Sequence, residues 1–134
     1  MSAELDPTHV YRPLPVVLVI DDEPGVRESL REILKLDFEV LEAEDGAAGL
    51  ELVRSRRVDV AMLDVRLPGE RGPVVLPRIL ALDDSIAVIL MTAVPDVRTA
   101  VDAIKAGAYD YIVKPFDVDE IHLLVRQAAQ QRVL

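Results

Sequence analysis

No cysteine occurs in this chain of 134 residues, which removes a disulfide framework and any thiolate metal site from consideration. The apolar runs are far shorter than the roughly 20 residues needed to cross a bilayer, so no membrane span is expected. The opening MSAELDPTHVYRPLP has no basic start followed by an apolar block, and no secretory signal is read there. A cytoplasmic location follows as the expectation. Positive charge is scarce too. The net charge is −9, which speaks against direct nucleic-acid binding by this chain, because phosphate affinity comes mainly from clustered Lys and Arg. The longest basic run, Arg54-Ser55-Arg56-Arg57, falls at a helix end, where cations offset the dipole. His9 and His122 stand alone, without the second His or Cys that a ligand set needs. No fixed-period repeat or low-complexity tract is present.

What remains is a chain of one-domain size with 51% apolar residues, enough to bury a sizeable core. Residues 1–15 carry Pro7, Pro13 and Pro15 without periodicity and read as a loose tail. The domain is expected over 16–131, with 132–134 as its end or the start of a linker. Strand candidates are VVLVI (16–20), FEVLEA (38–43), VDVAML (58–63), IAVILM (86–91) and YDYIV (109–113). Most are continuous rather than alternating apolar runs, as a parallel sheet covered on both faces requires.

Helical patterns fill the gaps. Val26, Leu30, Ile33 and Leu34 form a stripe in 24–36, opened by Pro24. A second helix starts at the N-cap Asp45 and runs to about Arg56. A third pattern covers 95–106 and closes at Gly107. The last, 117–132, has Asp117 as its cap and Val118, Ile121, Leu124, Val125 and Ala128 for burial. After Gly72 a helix can begin at Pro73, but Pro77 is expected to remove a backbone bond or distort the turn. The alternation predicts a doubly wound α/β domain with a flavodoxin-like five-stranded parallel sheet, order 2-1-3-4-5, and helices on both faces.

In such a sheet ligands bind beyond the carboxyl ends of the strands. The residues just after those ends are polar: Asp21 and Asp22, Asp64, Thr92 and Lys114. Three carboxylates in one crevice repel and call for a cation. A hard divalent ion with oxygen ligands, Mg²⁺, fits them. Strand order places Asp64 between the acid pair and the Thr92–Lys114 side, the position of a nucleophile toward phosphorus. Asp64 is therefore the expected phosphoacceptor. Asp21 and Asp22 are the expected metal ligands, and Lys114 and Thr92 the partners of the phosphoryl group. Asp83-Asp84 reads as a solvated turn, and Met62 and Met91 as core.

The segments IDDEPGVRESL, MLDVRLPG, ILMTA and AGAYDYIVKPF resemble the receiver domain of two-component response regulators, over about Val16 to Gln130. That resemblance implies phosphorylation of Asp64 by a sensor histidine kinase. It also implies an Mg²⁺ site of Asp21, Asp22, Asp64 and the backbone carbonyl of Arg66, and a cis bond between Lys114 and Pro115. It makes Thr92 and Tyr111 a switch pair, and 95–130 (helix four, strand five, helix five) the face that controls an output, with a homodimer on phosphorylation. It implies a bacterial signalling domain rather than an enzyme, beyond self-phosphorylation from small donors and self-dephosphorylation. The run from Met91 to Ile121 most resembles receivers attached to sigma-54-dependent transcriptional activators, and an output domain beyond Leu134 is one expectation; a single-domain regulator is the other.

Several positions depart from the pattern: Arg71, Pro73 and Pro77 around the third helix, and Pro95 in the fourth loop. With Arg66 beside the site, they predict an altered lifetime of the phosphorylated state, of either sign. Two other classes compete. An Mg²⁺-dependent aspartyl phosphatase or phosphotransferase would favour a DxD motif, where this chain has Asp64-Val65-Arg66. A flavin-phosphate binder is opposed by the acids of the first loop. A receiver-like module that binds without phosphorylation is the third alternative.

Overall fold

The computed structural model describes residues 13–133. The expectations for 1–12, including His9 and most of the tail, and for Leu134 lie outside the described residues. The chain alternates strand and helix throughout: β1 (Val16–Ile20), α1 (Pro24–Leu34), β2 (Glu39–Ala43), α2 (Gly46–Ser55), β3 (Val60–Asp64), α3 (Gly72–Leu82), β4 (Ala87–Thr92), α4 (Val97–Lys105), β5 (Asp110–Val113) and α5 (Val118–Val133). The strands form one parallel sheet in the order β2-β1-β3-β4-β5, as the sequence predicts.

Each central strand feeds two cores, which is why its apolar run is unbroken. From β1, Val17 and Val19 point to the side of α1 and α5, where Leu30, Leu34, Ile121 and Val125 cover them. Leu18 and Ile20 point the other way, under Leu50 of α2, Val75, Leu76 and Ile79 of α3 and Ala103 of α4. Met62 and Met91 are fully buried in the first core, as expected.

Local chemistry sets the helix ends. Asp45 caps α2 by accepting the Ala48 N–H at 2.8 Å, and Asp117 accepts the Glu120 N–H at 3.0 Å. At α4 the cap is Asp96, which takes the Arg98 N–H and the Thr99 hydroxyl; the helix starts at Val97 rather than 95. The Thr99 bond first, then the Arg98 amide, hold the Asp96 carboxyl below its usual pKa. Asp83 and Ser85 make the turn before β4. The basic run at the end of α2 pairs mostly with acids: Arg54 with Glu51, Arg56 with Glu39 and Arg57 with Asp59.

The helix in doubt exists. α3 runs through Pro77, which sits in its second turn and forfeits the bond its own N–H would have sent to the Pro73 carbonyl. Val75, Leu76 and Ile79 are buried, and their burial outweighs one missing bond, since each such side chain contributes about 1.5–3 kcal/mol.

Candidate functional site

Sheet register assembles the site. Ile20 pairs with Leu63, and Asp64 with Met91, so the residues one step further on, Asp21 and Thr92, flank Asp64 from the two neighbouring strands. Thr92 pairs with Val113, and the Lys114 N–H donates to the Thr92 carbonyl at 2.7 Å. All four side chains thus stand at one end of the sheet, where the topology leaves a crevice between β1 and β3.

The carboxylates converge there. One oxygen each from Asp21, Asp22 and Asp64 lies within 4.8 Å of the others. Asp21 and Asp64 are buried, while Asp22 is exposed. An all-oxygen set with one open side suits a hard divalent cation that keeps some of its water.

Compensation inside the cluster is uneven. Asp21 is fully partnered: one carboxylate oxygen accepts the Glu23 N–H at 2.9 Å, and the other takes Lys114 Nζ at 2.7 Å. Asp64 has less. Its Oδ1 accepts a long bond from the Arg66 N–H at 3.3 Å and lies 3.6 Å from Lys114 Nζ. Burial first, and then the charge of Asp21, raise the Asp64 pKa above the ordinary carboxyl value, against the pull of Lys114. For Lys114 burial works the other way and would lower its pKa. The bond to Asp21 and the fields of Asp64 and Glu23 outweigh it, so its pKa is raised and the ammonium stays charged.

The remaining predicted residues are less directly tied to the carboxylates. The Thr92 hydroxyl is buried and turned toward its own loop, donating to the Val94 carbonyl at 3.0 Å and accepting the Val94 N–H at 3.1 Å. Tyr111 packs against the second core, and its hydroxyl is buried without a hydrogen-bond partner among the described residues. Arg66 is exposed. The Lys114–Pro115 peptide is cis, as the resemblance implies.

Three features escape a reading by strand ends. Gly72 brings the start of α3 against the end of β3: a Cβ there would collide with the carbonyl of Asp64 and the Cα of Val65. Its N–H donates to the Val65 carbonyl at 2.9 Å. Asp59, at the opposite end of β3 and outside the crevice, is a third buried acid. Arg27 of α1 donates to the Asp21 carbonyl at 2.7 Å. Only Gly72 leaves a sequence signal, a glycine followed by proline at a helix start.

Comparison with known proteins agrees with this picture. The family described as the response regulator receiver domain matches residues 17–126. The chain is 40% identical over 115 residues to the regulatory protein AtoC of Escherichia coli K12, covering 85% of this chain and 25% of that protein. It is 34% identical over 112 residues to sporulation initiation phosphotransferase F of Bacillus subtilis, covering 83% of this chain and 90% of that protein. Among solved structures, the receiver domain of an HD domain-containing protein from Pseudomonas fluorescens Pf-5 matches with a TM-score of 0.84 at 32% identity, over 89% of this chain and 97% of that one. The chain thus spans a quarter of AtoC but most of the phosphotransferase. Among the described residues no helix is long and apolar enough to cross a membrane. Fold, acidic crevice and sequence likeness coincide over the same stretch, and the chain belongs to the receiver domains of two-component response regulators.

Proposed function

We propose that Asp64 accepts a phosphoryl group from a sensor histidine kinase and that the modified domain switches an output. The observation that carries this reading is the buried Asp64 carboxylate, short of hydrogen-bond donors, with oxygens of Asp21 and Asp22 within 4.8 Å and Lys114 at 3.6 Å. In the transfer, an Asp64 oxygen forms the new bond to phosphorus while the bond from phosphorus to the donor imidazole nitrogen breaks; the imidazole leaves and regains a proton from water. Lys114 pairs with the phosphoryl oxygens, and the Thr92 hydroxyl exchanges Val94 for one of them. When bound by Asp21, Asp22, Asp64 and the Arg66 carbonyl, Mg²⁺ supplies the positive charge that lets these carboxylates and a phosphoryl group share one crevice.

The switch follows from that change of partners. A Thr92 hydroxyl drawn to the phosphoryl group releases the β4–α4 loop, and Tyr111 follows on the inner side. The face offered to a partner is α4, β5 and α5, where Val97, Val101, Ile104, Val113 and Leu123 are exposed. A second copy of the domain or an output domain following Leu134 is its proposed partner. Two further relatives named as transcriptional regulators, ZraR and NtrC of Escherichia coli, support transcription as the output, in keeping with the resemblance to sigma-54-dependent activators. The receiver unit is taken as 16–131, preceded by residues 1–15 and followed by 132–134, in a cytoplasmic protein.

Intact-mass spectrometry after incubation with acetyl phosphate and Mg²⁺ tests the acceptor. A labile phosphoryl adduct is expected on the wild-type chain, and none on Asp64→Asn or without metal. An adduct that survives Asp64→Asn moves the acceptor elsewhere. No adduct under any condition leaves a receiver used for binding alone.

A further inference from the structure

Asp21 is held by its backbone as well as by its carboxylate. Arg27 donates from Nη1 to the Asp21 carbonyl at 2.7 Å and from Nε to Glu42 Oε1 at 3.2 Å. The other Glu42 oxygen takes Arg31 Nε at 2.5 Å, and Arg31 Nη2 reaches the Val40 carbonyl at 3.0 Å. Arg27 and Arg31 are one turn apart on α1 and so present the same face. Glu42 stands on β2, whose pairing with β1 brings it beside them. One continuous chain of bonds therefore runs from the edge strand to the peptide that joins the two candidate metal ligands. The Arg27 side chain is only 17% exposed, so its bonds are largely shielded from water.

We infer that Arg27 is a positioning residue for the cation site, acting through the Asp21–Asp22 peptide. The peptide unit is planar, so a bond that fixes the Asp21 carbonyl also fixes the direction in which the chain enters Asp22. Asp22 needs such help. Its carboxylate is exposed, and no hydrogen bond or ion pair from a described residue orients it, whereas Asp21 is held by Glu23 and Lys114. Charge cannot be the purpose, because a cation beside a cation site opposes occupancy. Glu42 lies against both arginines and offsets part of that charge. What Arg27 supplies is a rigid fork able to hold two acceptors at once, which a lysine ammonium on a flexible stem lacks.

The inference rests on the Mg²⁺ reading above, and its test is calorimetric titration of the metal-free chain with MgCl₂ at constant ionic strength, without phosphodonor. Wild type, Arg27→Gln, Arg27→Lys and Glu42→Gln are compared, each checked for folding by a thermal melt. Loss of a partner that orients a ligand typically weakens metal affinity by about tenfold or more. That loss is expected for both Arg27 variants, with a smaller loss for Glu42→Gln. Unchanged affinity in folded Arg27→Lys, or tighter binding in Arg27→Gln, would mean the side chain acts by charge alone and overturns the inference while leaving the Mg²⁺ site standing. A wild-type chain that takes up no Mg²⁺ overturns the site and the inference together. If Arg27→Gln does not fold, Glu42→Gln decides, since it removes the fork's second anchor and leaves Arg27 in place; wild-type affinity there overturns the inference.

Discussion

Two aspartates mark the two ends of the same central strand, and they are almost equally hidden: Asp59 is 3% exposed and Asp64 5%. Their surroundings differ in kind. Asp59 accepts the Val16 N–H at 2.8 Å and Arg57 Nε at 3.1 Å, and thereby ties the start of β1 to the start of β3. Asp64 faces two other carboxylates, takes one long amide bond, and shares its one cation among the described residues, Lys114, with Asp21, to which that cation is bonded more closely. The comparison separates a buried acid whose charge the fold satisfies from one that it leaves short of partners. What counts is how far the protein itself satisfies the charge.

Substitution at the two ends should have opposite effects on stability. Asp59→Ala strands the Val16 N–H and Arg57, and a lost bond to a charged group costs about 2 kcal/mol. Urea denaturation is expected to show that loss, while the folded fraction still takes up phosphate from acetyl phosphate. Equal stability in the variant would remove the contrast. Asp64→Asn should instead stabilise the metal-free chain at neutral pH. The Asp64 pKa is raised in the folded state, so its favourable contribution is complete below the ordinary carboxyl value of 3.8 and is lost as pH rises through the raised value. The Asn variant's advantage should therefore appear above that range and vanish in acid, and MgCl₂ should stabilise the wild type more than the variant. Thermal melts across pH check the sign. The smallest effect belongs to Tyr111→Phe, which deletes a buried hydroxyl that has no partner among the described residues. A gain of up to about 1 kcal/mol is expected; a clear loss would show that the hydroxyl has a partner in solution.

The fold and most of the site can be read from the chain because both depend on strands that advertise themselves. Val16 to Ile20 is an unbroken apolar run bordered by acids, and parallel register then carries Asp21, Asp64, Thr92 and Lys114 to a common rim. Side-chain partners are less legible. Strand order puts β3 and β4 between β1 and β5, so nothing in the chain announces that Lys114 reaches across to Asp21 in preference to Asp64. Arg27, Arg31 and Glu42 look like solvated surface until β2 and α1 are known to lie side by side. Pro77 misleads in the opposite direction, because a local rule about helices yields to the burial of Val75, Leu76 and Ile79.

The helices are not equally attached to the sheet. α3 buries Gly72, Val75, Leu76 and Ile79, and α5 buries Ile121, Leu124, Val125, Ala128 and Ala129, whereas α4 buries Ala103 alone and leaves Val97 81% exposed. A helix with one anchor has little to lose by opening. In the language of amide exchange, α4 is expected to exchange faster than the sheet it lies on, because so little burial is lost when it opens.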